Sequence, residues 1–159
     1  MVITNNVTRM LDAKKVHYNA FELPAEKLGA LETAHLLNVS PELVYKTIVI
    51  NRETRGKSIL AIVPGPAEVD LKLLARAVNE KKLHLPTEAE AEQLTGLQAG
   101  GISPLALINK GFQVVLDNSA LSHIEIHISG GQRGLNIRLV VDALIKLTDA
   151  RVENITHIS

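Results

Sequence analysis

The chain has 159 residues, 46% hydrophobic and 21% charged, with 17 Lys and Arg against 17 Asp and Glu. That composition suits a globular chain with a real core and excludes disorder as a whole-chain description. The lack of cysteine excludes disulfides, thiolate catalysis, zinc ribbons and iron–sulfur clusters, while zero net charge and 3% aromatics argue against a broad basic or stacking face for nucleic acid.

Thr4-Asn5-Asn6 offers N-caps for a helix with Val7, Met10, Leu11 and Lys14 at helical spacing. Val16 to Phe21 reads as a short strand, and Leu28, Leu31, Ala34 and Leu37 predict a second helix. Ser40-Pro41-Glu42 is a helix start with room for only a turn or two before a buried strand at Thr47–Ile50. Arg52 to Lys57, containing Gly56, reads as a polar hairpin loop that returns through Ser58–Val63. Pro64-Gly65-Pro66 breaks the chain, and Asp70 caps a strong helix over Leu71–Val78. Lys82–Leu85 reads as a short strand, and Thr87 with Glu90 forms a capping box for a helix ending at Gly96. Beyond Gly100-Gly101 the pattern predicts strands at Gln113–Leu116, Ile124–Ser129 and Ile137–Val140, then a last helix, Ala143–Leu147, capped by Asp142. Helices and strands are intermixed, and some strands are joined as hairpins. The expected class is therefore α+β (mixed α/β), a mixed sheet with flanking helices rather than a doubly wound parallel one.

Charge marks no internal boundary: residues 1–80 carry 10 basic and 9 acidic side chains, and residues 81–159 carry 7 and 8. With no repeat and no Gly/Ser linker, residues 1–159 read as one domain. Met1 to Asn6 lacks a basic segment followed by an apolar one, and no apolar run approaches the ~18 residues of a membrane span. A cytoplasmic protein without membrane association is expected.

Standard hydrolase, metalloprotease, P-loop and dinucleotide signatures are absent. On a strand, His123, Glu125 and His127 would share one face and the intervening isoleucines the other, with alternate residues about 6.5 Å apart. That face reads as a wet strand surface, with two metal ligands at best and no third in view. Gly100-Gly101-Ile102-Ser103-Pro104 is a tight loop whose amides suit a developing oxyanion or simply close a turn. Ser129-Gly130-Gly131-Gln132-Arg133-Gly134-Leu135 joins two strands, either as an elaborate hairpin or as a ligand loop with a hydroxyl and a cation. Lys46 begins the most apolar strand, where its head either reaches water or serves as a fixed cation for a phosphate or carbonyl.

Three motifs occur in order: Val44-Tyr45-Lys46-Thr47, Thr95-Gly96 followed by Gly100 to Pro104, and Ile128 to Leu135. Together with the helix from Val7 to Asp12, the helix from Val69 to Ala75 and the closing Leu144 to Thr148, they extend over essentially the whole chain. The sequence resembles the YbaK/EbsC family of bacterial Cys-tRNA(Pro) deacylases, related to the editing domain of bacterial prolyl-tRNA synthetases.

The resemblance implies a single domain with a mixed, barrel-like sheet, and hydrolysis of the ester between a wrong amino acid and the 3′ adenosine of a tRNA. It implies catalytic roles for Lys46 and Gly101. It implies substrate contacts from Tyr45, Gly100, Ile102, Ser103, Pro104, Ser129, Gly130, Gly131, Arg133 and Asn136. In this reading Lys46 holds the terminal phosphate or ribose, and Gly101 with its neighbours receives the oxyanion. No cofactor or metal is implied. The partner is the aminoacylated acceptor end of tRNA, with prolyl-tRNA synthetase left open. An activated ester needs less acceleration than an amide, which fits a chain without cysteine or a triad. The family's use of the substrate's own thiol would make serine and alanine esters poor substrates. This sequence departs from the family at Leu97 and His127, where aromatics are common, at Asn136, where some members carry Asp, and in a short segment after Phe21. Those departures leave open an alanine-specific or other deacylase, a silent module that binds aminoacyl-tRNA or a synthetase, and a plain small-molecule binder.

Overall fold

The computed structural model describes residues 3–157 of the chain. Local signals start most of its elements. Asn5 and Thr8 form a reciprocal cap for α1 (Asn6–Ala13), which leads to β1 (Tyr18–Glu22) and α2 (Ala30–Leu37). Ser40 caps a single 3-10 turn, Pro41–Leu43, before β2 (Tyr45–Arg52) and β3 (Ile59–Pro64). After β4 (Glu68–Val69), both the Lys72 and Leu73 amides donate to the Asp70 carboxylate at the start of α3 (Leu71–Ala77). β5 (Leu83–His84) and α4 (Glu88–Thr95) follow, the helix starting at the Thr87–Glu90 capping box and ending on Gly96 at φ +73°. The remainder is β6 (Gln113–Asp117), β7 (Glu125–Ser129), β8 (Leu135–Val140), α5 (Val141–Thr148), β9 (Arg151–Glu153) and β10 (Thr156–His157).

The strands form a five-stranded sheet ordered β5-β2-β3-β6-β9, a three-stranded antiparallel sheet ordered β1-β8-β7, and a separate antiparallel pair of β10 with β4. In the larger sheet β2 runs antiparallel to β5 and β3, whereas β3, β6 and β9 run parallel. A parallel bridge between Val44 and His127 joins the two sheets at the start of β2. The expected mixed, barrel-like arrangement is thus built from two sheets that meet along one edge.

Alternation along β3 explains the core. Leu60 and Ile62 point between the sheets, where they meet Val49 and Leu116 from the larger sheet and Ile126, Ile128, Ile137 and Leu139 from the smaller. Ile59, Ala61 and Val63 point the other way, onto Leu74 and Ala75 of α3. A strand buried on both faces has to be apolar throughout, and β3 is. α1 and α5 close the inter-sheet core with Val7, Leu11 and Leu144.

Two expectations are corrected, and three short strands were not expected. Asp142 is not the cap of α5: the cap position is Val140, without a side-chain bond, and Asp142 stands in the first turn near the positive helix end. β4, β9 and β10 are two or three residues long, too short to carry a period. The Lys82–Leu85 strand contracts to Leu83–His84, because only Leu83 and His84 pair with β2.

Asp117 holds the C-terminal segment onto β6. It is buried, its Oδ1 accepts from the Ile155 amide at 3.0 Å and the Thr156 hydroxyl at 3.2 Å, and its Oδ2 accepts from the Ser119 amide at 3.2 Å. Asp117→Ala leaves buried donors unpaired and is expected to cost about 2–3 kcal/mol. A urea midpoint equal to that of the parent would refute this.

Candidate active site

The Val44–His127 bridge brings the start of β2 against the middle of β7. A cleft of about 220 Å³ opens there, with the N-terminus of α2 as its far wall. Lys46, Tyr45, Gly100, Ser129 and Asn136 all line it, together with Thr33, Thr47 and Leu135. Residues from all three motifs therefore meet at one place, although 83 positions separate Lys46 from Ser129.

Lys46 is half-buried. Its ammonium donates to the Gly65 carbonyl at 3.2 Å and lies 3.8 Å from the Glu68 carboxylate. A Cβ on Gly65 would stand 2.7 Å from Ala30 Cβ, so glycine lets the turn after β3 close on α2 and carry this carbonyl to the lysine. Tyr45, adjacent on the strand, sends its phenol to the opposite side, 2.8 Å from the Ser119 hydroxyl. Burial is the main reason that phenol titrates above its ordinary value.

The two glycine-bearing loops lock together. Arg133 Nε donates to the Ala99 carbonyl at 2.7 Å. Gly101 packs so closely that a Cβ would lie 2.8 Å from Gln132 Cα and 2.9 Å from the Arg133 nitrogen. The Gly101 amide is already engaged with the Gln98 carbonyl at 2.8 Å. Gly100, at φ +89°, lines the cleft, and its amide donates to no protein acceptor among the described residues.

The profile of the aminoacyl-tRNA editing domain matches residues 25–147, which contain every residue of this cleft except Leu23. The chain belongs to the aminoacyl-tRNA editing domain family. A candidate Cys-tRNA(Pro)/Cys-tRNA(Cys) deacylase of Enterococcus faecalis, EbsC, is 33% identical to it over 95% of this chain and 92% of its own. The crystal structure of a candidate trans-editing enzyme for prolyl-tRNA synthetase superposes with a TM-score of 0.81 at 26% identity, covering 98% of this chain and 99% of that one. The protein APE2540 has the same fold, with a TM-score of 0.87 at 22% identity over 96% of this chain and all of its own.

Within this editing domain the sequence-derived residues separate into two groups. Tyr45, Lys46, Gly100, Ser129 and Asn136 line the cleft. Gly101, Ile102, Ser103, Pro104, Gly130, Gly131 and Arg133 do not line it. Ser103 is fully buried and caps the 3-10 turn Pro104–Ala106. The Gly130 amide donates to Leu135 O, and the Gly131 amide to the Ser129 hydroxyl. Thr33, Gly29 and Ala30 are lining residues that sequence reading missed, because the docking of α2 leaves no local mark.

The His123–Glu125–His127 face is corrected more deeply. His123 precedes the strand, and no group of three or more potential metal ligands exists among the described residues. Ile126 and Ile128 do face the core as the alternation requires, but Ile124 is 82% exposed. The face expected to be wet is dry at His127, which is 3% exposed beneath the Phe21 ring, centroid to centroid 5.5 Å. Its Nδ1 lies 2.8 Å from Asn136 Oδ1.

Burial pushes the His127 pKa below its ordinary value, with the Asn136 hydrogen bond partly opposing. The unfolded chain thus takes up a proton near pH ~6.5, and the folded chain only at lower pH. The stability contribution of neutral His127 is complete above that value and declines as pH falls through it toward the folded pKa. The urea midpoint is expected to drop between pH 7.5 and pH 5, and to drop less in His127→Phe. Equal drops would refute the coupling.

Proposed function

We propose that this editing domain is a trans-editing aminoacyl-tRNA deacylase, with Cys-tRNA(Pro) as its preferred substrate. The observation that carries the reading is the meeting of Lys46, Gly100 and Ser129 in one small cleft. At about 220 Å³ the cleft is below the ~300 Å³ at which pockets begin to enclose whole ligands. It suits an amino acid esterified to a ribose, with the nucleotide outside.

Lys46 supplies a cation beside the cleft for the terminal phosphate or ribose. The Gly100 amide, still unpaired, supplies a donor for the carbonyl oxygen as it gains charge; the engaged amide of Gly101 is less suited to that role. The chain holds no cysteine, so a thiol that attacks the ester must be the substrate's own. Attack of that sulfur on its own carbonyl forms a cyclic thioester and breaks the bond to the 3′ oxygen, which leaves as a free hydroxyl carrying the thiol proton; water then opens the thioester to free cysteine. Lys46 and Gly100 then need only hold the ester and its oxyanion. Zero net charge fits a protein that grips only the acceptor end, with weak, salt-sensitive affinity for tRNA. Such an enzyme would work in the cytoplasm, alone or beside prolyl-tRNA synthetase.

The test is ester loss from tRNA(Pro) charged separately with Cys, Ala, Ser and Pro, with and without prolyl-tRNA synthetase. Rapid loss of Cys and slow loss of Ala and Ser is the expected result. Rapid loss of Ala instead reassigns the substrate, and binding without loss of any ester overturns the enzyme. A rate that rises only with the synthetase present makes that synthetase a functional partner.

A further inference from the structure

His127 is a buried imidazole that the proposed reaction does not use. It cannot act as a base in the cleft, because it does not line it. It reaches the cleft through Asn136, whose register partner across β7 and β8 is Ser129. Asn136 is 4% exposed and lines the cleft. An amide oxygen only accepts, so the 2.8 Å contact requires the proton on His127 Nδ1. That contact consumes the Asn136 oxygen. Among the described residues Asn136 Nδ2 has no protein acceptor, and the one side-chain nitrogen or oxygen that is both buried and unpaired is Arg138 Nε. Asn136 Nδ2 therefore retains open contact, and the cleft is the open space that Asn136 lines.

We infer that His127 is a positioning residue for Asn136: its Nδ1–H holds the carboxamide oxygen, so the Nδ2 hydrogens are presented to the ester carbonyl of the bound aminoacyl group. This rests on the deacylase reading for its substrate, but not for the orientation itself. The setting keeps the imidazole in place. Phe21, paired with Asn136 across β1 and β8, covers His127 on one side. The charged neighbours on the same sheet face are Glu125 and Arg138, 3.9 Å apart, and Arg138 also donates to Asn19 Oδ1 at 2.9 Å and lies over the Phe21 ring. These two charges act on the ring in opposite directions, and burial, the largest effect, favours the neutral form. A neutral imidazole has one N–H, and Asn136 fixes which nitrogen carries it.

Two measurements test this. Long-range 15N–1H correlation of the wild-type protein at pH 7.5 should show His127 as the Nδ1–H tautomer, and an Nε2–H tautomer overturns the inference whatever the protein hydrolyses. In the deacylation assay, His127→Phe keeps a ring under Phe21 and deletes the donor. It should lower kcat about tenfold with KM within about threefold, the pattern of a contact that strengthens in the transition state. His127→Asn, whose Nδ2 can stand where Nδ1 stood, should recover kcat to within about threefold of wild type. Asn136→Ala should lose no further activity when His127→Phe is added, because both remove the same contact. Losses that multiply, or a fall in His127→Phe that the asparagine variant does not rescue, overturn the inference. A wild-type protein that cleaves no ester overturns the deacylase reading alone, since the tautomer still decides the orientation.

Discussion

Lys46→Ala is expected to lower deacylation about a hundredfold while leaving the protein folded. The ammonium's protein contacts are one carbonyl, Gly65 O at 3.2 Å, and the largely exposed Glu68 carboxylate at 3.8 Å. An exposed ion pair of this kind contributes only about 0–1 kcal/mol, so its loss barely alters stability. In the proposed reaction its contact with a substrate phosphate or carbonyl would be charge-assisted and formed in a partly dry cleft, where about 1.5–3 kcal/mol is typical. That upper value corresponds to about a hundredfold in rate. Arginine is not expected to rescue, because a planar fork cannot occupy the position of a compact ammonium held by one carbonyl. The check is single-turnover hydrolysis of Cys-tRNA(Pro), beside a thermal melt within about 3 °C of the parent. Activity that survives Lys46→Ala removes the lysine from the mechanism.

Gly101→Ala is expected to fail for a different reason. The new methyl would stand 2.8 Å from Gln132 Cα and carbonyl carbon. Those are backbone atoms, so neither side can swing aside, and the two loops must separate. Separation strains the 2.7 Å bond from Arg133 to Ala99 O and displaces neighbouring Gly100 from the cleft edge. Overpacking of this kind costs about 1–3 kcal/mol. At roughly 2–4 °C per kcal/mol the melting temperature should fall by several degrees. A misplacement of about 1 Å at the reacting centre costs on the order of a hundredfold in rate. Gly96→Ala is the matched control: its φ is +73° but nothing lies within 4 Å of its Cβ, so it should lose some stability and keep activity. If Gly101→Ala keeps full activity, loop contact does not set the cleft.

Local signals in this chain reach about one or two turns. The caps at Asn5, Ser40, Asp70 and Thr87 and the left-handed Gly96 are readable, because each depends on residues within one or two turns of chain, whereas the strand expected to be the most apolar is β2 and the one buried on both faces is β3. The division into two sheets is not readable, since the parallel pairing of β9 with β6 joins segments with a hairpin and a helix between them. His127 was misread for a related reason. Strand alternation correctly put it opposite Ile126 and Ile128, but alternation does not say what covers a face, and Phe21 arrives from the other end of the sequence. Gly101 was assigned through its amide, whereas in the structure its missing Cβ is the property in use.

The sequence by itself determined the class of fold, the ordered motifs around Lys46, Gly100–Pro104 and Ser129–Leu135, and the exclusion of a protein thiol. These follow from residue identity and short-range period, which the chain carries wherever it folds. Only the tertiary structure decided which of the motif residues line the cleft and which do not. It also decided that, among the described residues, the amide of Gly100 rather than Gly101 lacks a protein acceptor, and that His127 is dry and bonded to Asn136. Those properties depend on distances between segments far apart in the chain, and packing of the two sheets sets them.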